Sequence, residues 1–186
     1  MNRIAVVGSG GAGKSTLSEK LSGILNISVY HLDTYFWKPG WQMSDTTSWN
    51  EINDKLVNNE NWIIDGNFKS TMANRLEGAD TIIFLDIGRL TCLFNAWKRY
   101  FKYRKKRRPD LAEGCYEKID FDYYKWIWGY RKRSRYYTLE NIENYGKDKN
   151  VIILKTKKEI GIFIEKLRSD SLICRNDIKC PAGGQP

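Results

Sequence analysis

The sequence has little of what metal-binding, disulfide-rich or membrane-spanning proteins need. It has one histidine, and its four cysteines form no CxxC pair, so neither a zinc site nor a disulfide framework is expected. The cysteines are predicted to be free thiols in a reducing cytoplasm. The longest apolar region, Thr81–Trp97, is interrupted by Asp86 and Arg89, which makes it a poor candidate for crossing a bilayer. No membrane partner is expected.

Positive charge, by contrast, is present in excess and lies in one segment. The 186 residues include 31 Lys and Arg against 22 Asp and Glu, a formal net charge of +9. Between Lys98 and Arg135, 14 cationic and five acidic residues account for the whole excess, and the rest of the chain is neutral. Such a segment either faces an anionic ligand or forms a solvated surface.

Short apolar runs alternate with longer segments of helical periodicity, which is typical of parallel β/α units. The predicted strands are Arg3–Val7, Ile27–Leu32, Trp62–Asp65, Thr81–Asp86 and Val151–Leu154. Their high Val, Ile and Leu content favours strands that are covered on both faces. Later helices are predicted at Leu90–Tyr103, Asp120–Tyr137 and Lys157–Leu167. The chain length suits one α/β domain with a substantial core.

The most specific motif is a glycine-rich run after the first strand. Residues Gly8-Ser9-Gly10-Gly11-Ala12-Gly13-Lys14-Ser15 match the phosphate-binding pattern GxxxxGK[ST], and Thr16 follows. Glycines let backbone N–H groups approach phosphate oxygens, and the helix that starts near Lys14 points its positive end at the same anion. Lys14 is expected to reach the β- and γ-phosphates of ATP, and the Ser15 hydroxyl is expected to bind Mg²⁺. Gly8–Thr16 is therefore predicted to be an ATP site.

Three carboxylates are predicted at the carboxyl ends of strands, the edge of an open α/β sheet where ligands bind. Asp33 is the candidate to orient or deprotonate an acceptor hydroxyl, and Asp65 is the candidate partner of the Mg²⁺ ion. Asp86 is interpreted as mainly structural. A lone carboxylate at a strand end is more often a cap or turn residue, but three on one edge favour a function. His31 lies inside a predicted strand and is expected to pack in the core.

With these residues the chain resembles the adenylate-kinase-like P-loop kinases, and more closely the bacterial proteins called DNA topology modulation proteins. The resemblance extends from about Asn2 to Leu167. Besides the phosphate loop, it rests on His31-Leu32-Asp33 with Trp37-Lys38-Pro39-Gly40-Trp41, on Asp65-Gly66-Asn67, and on Arg108-Pro109-Asp110-Leu111-Ala112-Glu113-Gly114-Cys115. It implies a three-layer P-loop fold with a five-stranded parallel sheet in the order 2-3-1-4-5.

The resemblance also implies how the chain is divided. Residues 1–168 are expected to form a single domain. Within it, an acceptor-binding insert is expected at 34–60 and a helical lid at 99–135. Residues 169–186 are expected to form a tail.

In such kinases the lid closes over the phosphates and delivers arginines to the transferred group. Fork-shaped donors suit the charge that develops there during phosphoryl transfer. The candidates are Arg99 and Arg108 for catalysis, Arg104 as a further phosphate ligand, and Arg131 and Arg135 from the far side of the lid. The Lys105–Arg107 run is interpreted as a solvated surface. Many members carry an arginine one turn before Arg99, where this chain has Asn95.

The acceptor is predicted to lack a phosphate. A nucleoside monophosphate kinase needs arginines to hold the acceptor phosphate, and no arginine lies between Arg3 and Arg75. The insert is aromatic instead, and such rings either stack on a flat neutral group or pack as a small core. The rings are those of Tyr35, Phe36, Trp37 and Trp41. A hydroxyl-bearing, nucleoside-like acceptor is expected.

Two other functions stay open from the sequence. The segment Lys98–Arg135 interleaves basic and aromatic residues, which is also typical of a nucleotide-dependent nucleic-acid-binding protein. The helical spacing of Tyr124, Trp128 and Arg131 favours packing instead. The third function is an ATPase switch without an acceptor. The favoured function is an ATP- and Mg²⁺-dependent kinase that acts on a hydroxyl of a small molecule.

Overall fold

The computed structural model describes residues 1–177, and the last nine residues of the expected tail lie outside the described residues. The strands in this part of the chain are β1 (Arg3–Gly8), β2 (Val29–His31), β3 (Trp37–Lys38), β4 (Gln42–Met43), β5 (Trp62–Asp65), β6 (Thr81–Leu85) and β7 (Asn150–Leu154). The α-helices are α1 (Lys14–Leu25), α2 (Leu32–Phe36), α3 (Thr46–Val57), α4 (Met72–Gly78), α5 (Arg89–Tyr103), α6 (Phe121–Tyr145) and α7 (Lys157–Asp177).

Five strands form the central sheet, and every neighbouring pair is parallel. Their order is β2-β5-β1-β6-β7. Counted among themselves, the sheet strands follow the expected order 2-3-1-4-5. The labels run higher because β3 and β4 form a separate antiparallel hairpin that the sequence does not predict. β5 and β6 are buried along their whole length, as their apolar sequences predict for strands covered on both faces. The predicted α/β fold class is confirmed.

Helices cover both faces of this sheet. On one face, α1 and α7 contribute Leu17 and Ile164 to the core. On the other face, α3 contributes Trp49. The long helix α6 takes part in both cores, because Ile127 packs in the first and Ile142 in the second. A single helix therefore ties the lid region to both sides of the sheet.

Two helices are longer than the sequence predicts. The helix expected to end at Tyr137 continues to Tyr145, and its extra turns bury Ile142 against the second core. The helix end expected at Leu167 is also wrong, because α7 continues to Asp177 through the first part of the expected tail. The reason is local: no glycine or proline follows Leu167 until position 181, so nothing in the chain stops the helix.

The carboxyl ends of the strands bring the candidate residues to one edge. β1 leads directly into the glycine-rich loop, and β2 leads into α2, whose first turn carries Asp33. β5 ends at Asp65, which stands opposite His31 of β2 in the sheet register. Parallel strands end at the same edge of a sheet, so Asp33, Asp65 and the glycine-rich loop lie at one edge.

Candidate active site

The glycine-rich loop connects β1 to α1 in the conformation that its composition predicts. Gly8, Gly11 and Gly13 have φ angles of 147°, 72° and 96°, which side chains other than hydrogen rarely permit. Gly13 directly precedes α1 and carries no side-chain cap, so the N–H groups of the first turn are available to an anion. The loop is therefore built as a phosphate cradle.

The Lys14 ammonium lies folded over this loop. Its Nζ donates hydrogen bonds to the carbonyl oxygens of Gly8 and Ser9, each at 3.0 Å. Burial lowers the pKa of Lys14, and the nearby carboxylates of Asp65 and Asp33 oppose that shift. A buried ammonium with two neutral acceptors and two carboxylates nearby is well placed to exchange its carbonyl partners for phosphate oxygens.

A carboxylate that the sequence analysis did not assign lies beside Ser15. Asp110 lies close enough to the Ser15 hydroxyl for that group to lower its pKa, and it accepts a hydrogen bond from Arg108 Nε at 2.7 Å. Burial raises the pKa of Asp110, but Arg108 and Ser15 outweigh it, so the carboxyl group is held ionised. The one signal for Asp110 in the sequence is its place in the Arg108–Cys115 stretch, which the resemblance singles out without giving Asp110 a role.

These oxygens suit Mg²⁺. The ion is usually held by one or two protein oxygens together with substrate phosphates, and not by a cage made of protein alone. Accordingly, residues 1–177 contain no group of three or more histidine, cysteine or acidic side chains arranged to hold a metal. The Ser15 hydroxyl and the Asp110 carboxylate are two such hard oxygen ligands at the start of α1.

His31 does not pack in an apolar core as expected. Its Nδ1 lies 2.7 Å from Asp65 Oδ2, and its Nε2 lies 2.9 Å from Glu19 Oε1. Burial lowers the pKa of His31, but the two carboxylates outweigh it and raise the pKa to about 9. The charged ring therefore joins β2, β5 and α1. Asp65, the expected Mg²⁺ partner, is buried and has His31 as its hydrogen-bond partner.

Asp33 lies in the cleft between the phosphate loop and the lid. Its Oδ2 is 3.7 Å from Arg108 Nη2, and about half of its side-chain surface stays accessible. The loss of water at the bottom of the cleft raises the pKa of Asp33, and the cations of Arg108 and Lys14 partly oppose this. An accessible carboxylate with a raised pKa is a competent acceptor for a hydroxyl proton.

The two candidate catalytic arginines meet at one buried carboxylate, Glu117. Arg99 Nε lies 2.8 Å from Glu117 Oε1, and Arg108 Nη1 donates to the same oxygen. Arg108 is 5% exposed and also contacts Asp110 and Asp33, so carboxylates surround its guanidinium group. Arg99 also donates to the Tyr123 hydroxyl at 3.3 Å. The structure thus brings Arg99 and Arg108 together, and both are paired with Glu117.

The other candidate arginines do not reach the phosphate loop. Arg104 is exposed at the end of α5, where its guanidinium lies 5.4 Å from the centre of the Phe101 ring. Arg135 forms a two-pronged ion pair with Asp86, with both N–O distances 2.8 Å, which agrees with the structural role expected for Asp86. Arg131 is exposed. The basic segment therefore contributes Arg99 and Arg108 to the site.

The aromatic insert packs against the protein and the lid. Phe36 contacts Trp49 and Phe68 with ring centres 4.9 and 4.5 Å apart. Trp37 and Trp41 pack in a small core with three lid residues, Leu111, Ala112 and Cys115. Three of the four expected stacking rings are thus used in packing, and Tyr35 stays exposed. The lid and the insert thus contact each other through this small core.

Aromatic residues of the basic segment also pack inward. A methyl group added to Gly10 would lie 2.3 Å from the hydroxyl oxygen of Tyr123, so this tyrosine sits directly on the phosphate loop. Tyr123 is stacked on Trp126 with 6.0 Å between ring centres, and both pack against the first core with Tyr124. These rings are therefore not free to stack on nucleic-acid bases.

A cavity of about 520 Å³ opens beside the phosphate loop, between α5 and the segment that joins β7 to α7. Its walls include Thr91, Phe94 and the Lys155–Lys157 segment. Asn95 links it to the loop, because its Nδ2 donates to the Gly11 carbonyl at 2.8 Å and its Oδ1 accepts from Lys157 Nζ at 3.1 Å. Asn95 thus connects a wall residue of the cavity to the glycine-rich loop. It stands where many kinases of the resembled group carry an arginine.

Solved structures of small-molecule kinases share this fold. Shikimate kinase from Acinetobacter baumannii, in complex with shikimate, is 13% identical, with 96% of each chain covered and a TM-score of 0.57. Shikimate kinase from Bacteroides thetaiotaomicron is 17% identical over 90% of this chain and 97% of that one, with a TM-score of 0.52. A gluconokinase from Sinorhizobium meliloti 1021 is 12% identical over 95% of each chain, with a TM-score of 0.50.

Neither a comparison with protein-family models nor one with curated proteins yields a match. At identities of 12–17% the likeness concerns the fold and not the substrate. The chain has the α/β fold of the P-loop kinases.

Proposed function

We propose that the protein is a kinase that transfers the γ-phosphoryl group of ATP to a hydroxyl group of a small acceptor without a phosphate. The observation that carries the proposal is the position of Asp33. This accessible carboxylate lies near Lys14 of the phosphate loop and 3.7 Å from the lid residue Arg108. Nucleotide cradle, proton acceptor and lid cation thus share one cleft in a fold that solved kinases also have.

The nucleotide has a place for each of its parts. The loop from Gly8 to Thr16 receives the β- and γ-phosphates, and Lys14 donates to their oxygens. The cavity lined by Lys157 receives the base, since Asn95 connects Lys157 to the Gly11 carbonyl of the loop. Ser15 and Asp110 hold Mg²⁺, which neutralises phosphate charge when bound. We assign Asp65 to holding His31, which supports this edge of the sheet.

The transfer needs a hydroxyl oxygen in line with the γ-phosphorus. Asp33 accepts a hydrogen bond from the acceptor hydroxyl and takes its proton as the new O–P bond forms and the bond to ADP breaks. Arg99 and Arg108 lie above the same cleft, where their N–H groups stabilise the charge on the phosphoryl oxygens. For this they exchange Glu117 for phosphate.

The cations on the acceptor side support a neutral acceptor. Arg75, which ends the long gap in arginine, is 1% exposed and binds the carbonyl of Phe68 and the side chains of Asn53 and Thr71. Lys38 lies 3.6 Å from Asp45, and Lys69 lies over the Tyr137 ring. Arg75, Lys38 and Lys69 are thus engaged by other groups, so an anionic acceptor gains no free cation from them. A nucleoside-like or sugar-like polyol fits best.

The two alternatives have less support. The nucleic-acid function would use the aromatic rings of the basic segment. Of these, Tyr123, Tyr124 and Trp126 pack inward, which leaves exposed rings such as Phe101 and Trp128. An acceptor-free ATPase has no need of an accessible carboxylate at Asp33. The closer resemblance to DNA topology modulation proteins rests on sequence motifs and leaves the reaction unassigned.

The test is thermal stability with ATP–Mg²⁺ held constant across nucleosides, sugars, nucleotides and other small metabolites. A ligand that binds the native state raises the melting temperature by mass action. We expect ATP–Mg²⁺ to raise it, a neutral hydroxyl compound to raise it further, and that compound to be phosphorylated. Lys14→Ala is the control and should remove the ATP effect. Phosphorylation of AMP would contradict the neutral acceptor, and an ATP shift that no compound increases would contradict the kinase.

A further inference from the structure

The outer face of α5 carries an unbroken stripe of large apolar side chains. Leu90, Phe94, Trp97 and Phe101 follow one another at helical spacing and are 69%, 58%, 52% and 47% exposed. The stripe extends from position 90 to position 101, about 17 Å along the helix axis. Contiguous exposed apolar surface of this kind marks an interaction site in most proteins.

Trp97 and Phe101, the second half of the stripe, lie away from the cavity beside the phosphate loop. The opposite face of α5 buries Cys92 and Ala96, and Asn95 on the next turn binds the Gly11 carbonyl. Leu90 and Phe94 also reach the cavity beside the loop, whereas Trp97 and Phe101 are not among its walls. A partner seated on the second half of the stripe therefore leaves the proposed active site open.

Cations surround this stripe, and acids are missing from it. The segment from Arg89 to Arg108 has nine Lys and Arg residues and no Asp or Glu. Two of the nine, Arg99 and Arg108, face inward to Glu117. Four outward residues, Lys98, Lys102, Arg104 and Lys105, have no ion pair with a carboxylate within residues 1–177. The partner of this face is therefore anionic as well as apolar.

A second copy of the chain does not meet that requirement. Pairing two such faces would bring two acid-free basic segments together, and the like charges would repel each other. A nucleic acid is anionic, but the rings of the stripe turn toward one another: the Trp97 and Phe101 ring centres are 4.6 Å apart at 68°. Leu90 offers no stacking surface either. The stripe is a ridge of apolar volume and not a platform for bases.

We propose that this face docks on an anionic lipid bilayer. An amphipathic helix with Trp, Phe and Leu on one side and Lys and Arg beside them lies in the membrane interface, with its apolar residues at the acyl boundary and its cations at the headgroups. A planar surface meets the ridge and the flanking lysines together. None of the described helices is long and apolar enough to span a membrane, so the docking is peripheral. The expectation of no membrane partner follows from the lack of a spanning segment, and it does not apply to a helix that lies on the membrane surface.

The test is flotation of the full-length protein with vesicles of phosphatidylglycerol and phosphatidylcholine, and with phosphatidylcholine vesicles alone. We expect binding to the anionic vesicles only, and weaker binding as salt rises. Trp97→Ser with Phe101→Ser should weaken binding at least roughly tenfold, since the apolar area that enters the interface is lost. Lys98→Gln with Lys102→Gln should weaken it about 30-fold, about fivefold for each cation.

Matched controls lie elsewhere on the surface. Tyr136→Ser removes an aromatic ring that is 75% exposed on α6, and Lys20→Gln with Lys166→Gln removes two exposed lysines outside the basic segment. Both should bind like the wild type, and circular dichroism should show that every variant folds. Absence of vesicle binding, or unchanged binding of the Trp97 and Phe101 variant, overturns the proposal. So does a wild-type dimer that this variant dissolves, or binding of a single-stranded oligonucleotide in place of vesicles.

Discussion

Asp33 is the side chain on which the proposed chemistry depends most. It is accessible in the cleft, and Arg108 is the one cation at ion-pair distance from it among the described residues. A positioned general base contributes roughly a hundredfold to ten-thousandfold to a reaction rate. Asp33→Asn keeps the shape and removes the proton acceptor. We expect kcat to fall by about a hundredfold or more, while the ATP-induced rise in melting temperature stays close to that of the wild type.

The control for this change is Asp148→Asn, which removes an exposed carboxylate far along the chain from the site. It should leave both kcat and the ATP effect unchanged. If Asp33→Asn lowers ATP affinity and turnover by the same factor, Asp33 supports the nucleotide site and does not act as the base.

The ion pairs of His31 should make the free energy of unfolding depend on pH. Its folded pKa is about 9, above the ordinary value near 6.5 of an unfolded histidine. Its stabilising effect is therefore fully present below about pH 6.5 and is lost as pH rises through about 9. The difference in free energy of unfolding between the wild type and His31→Gln should shrink by roughly 1–3 kcal/mol across that range.

Urea denaturation of both proteins at a series of pH values measures this difference, in which the other titrating groups largely cancel. A gap that stays constant from about pH 6 to pH 10 would show that the ring is neutral in the folded protein.

At the scale of elements, the lid and the β3–β4 hairpin depend on one close contact. Gly114 has a φ of 75°, and a methyl group placed there would lie 2.9 Å from Pro39 Cβ. Gly40 N–H donates to the Gly114 carbonyl at 3.2 Å. Gly114→Ala should therefore push the two elements apart and destabilise the protein by about 1–3 kcal/mol. Hydrogen exchange should become faster in the lid stretch 108–116.

Gly161→Ala is the matched control, because Gly161 lies in α7 with nothing within 4 Å of an added methyl group. Alanine is the better helix former, so this variant should be unchanged or more stable by up to about 1 kcal/mol. If hydrogen exchange in the lid of Gly114→Ala equals that of the wild type, the lid does not depend on this contact.

The same elements show how far the sequence leads. The phosphate loop and the order of the sheet follow from a local motif, from apolar runs and from the resemblance. The hairpin does not, because its strands have two residues each and no periodicity to detect. The sequence could indicate only some of the ion-pair partners of Arg108. Asp110 and Glu117 lie within nine residues of it, whereas Asp33 is 75 positions away and only folding brings it close.

His31 shows why residue type and strand position are not enough. A histidine within a predicted strand usually packs in the core. The two partners of His31 come from α1 and β5, and the sequence of β2 contains no pattern that predicts them. The α5 stripe is the opposite case. Its apolar residues already follow helical spacing in the sequence. The interruption by Asp86 and Arg89 argues against a segment that crosses a bilayer, but not against a helix that lies on one.

For the whole molecule, the distribution of charge separates two surfaces. Inside the cleft, the carboxylates of Asp110 and Glu117 neutralise Arg108, and Glu117 also pairs with Arg99. Outside, the cations along α5 have no such partners within the described residues, so the net charge of +9 is expressed mainly on the outer face. The cations proposed to meet an anionic surface are thus different residues from those proposed to bind phosphate.

Glu117 couples the stability of the whole molecule to its ligand. The side chain is 6% exposed and stands between two arginines. Glu117→Gln removes the carboxylate partner of Arg99 and one of the three carboxylates around Arg108, which should cost about 3 kcal/mol in the free energy of unfolding. The triphosphate supplies an anion to the native state alone, so ATP should bind roughly tenfold more tightly and stabilise the variant by about 1.4 kcal/mol more than the wild type.

Calorimetric titration with ATP–Mg²⁺ and thermal unfolding measure the two effects separately. Glu113→Gln is the control, because its side chain is 85% exposed and lies 3.8 Å from Arg107; it should change neither quantity. If Glu117→Gln lowers stability and ATP affinity together, the carboxylate holds Arg99 and Arg108 in place for the phosphates. If affinity rises while stability falls, the Glu117 carboxylate occupies the site that a phosphate group takes when ATP binds.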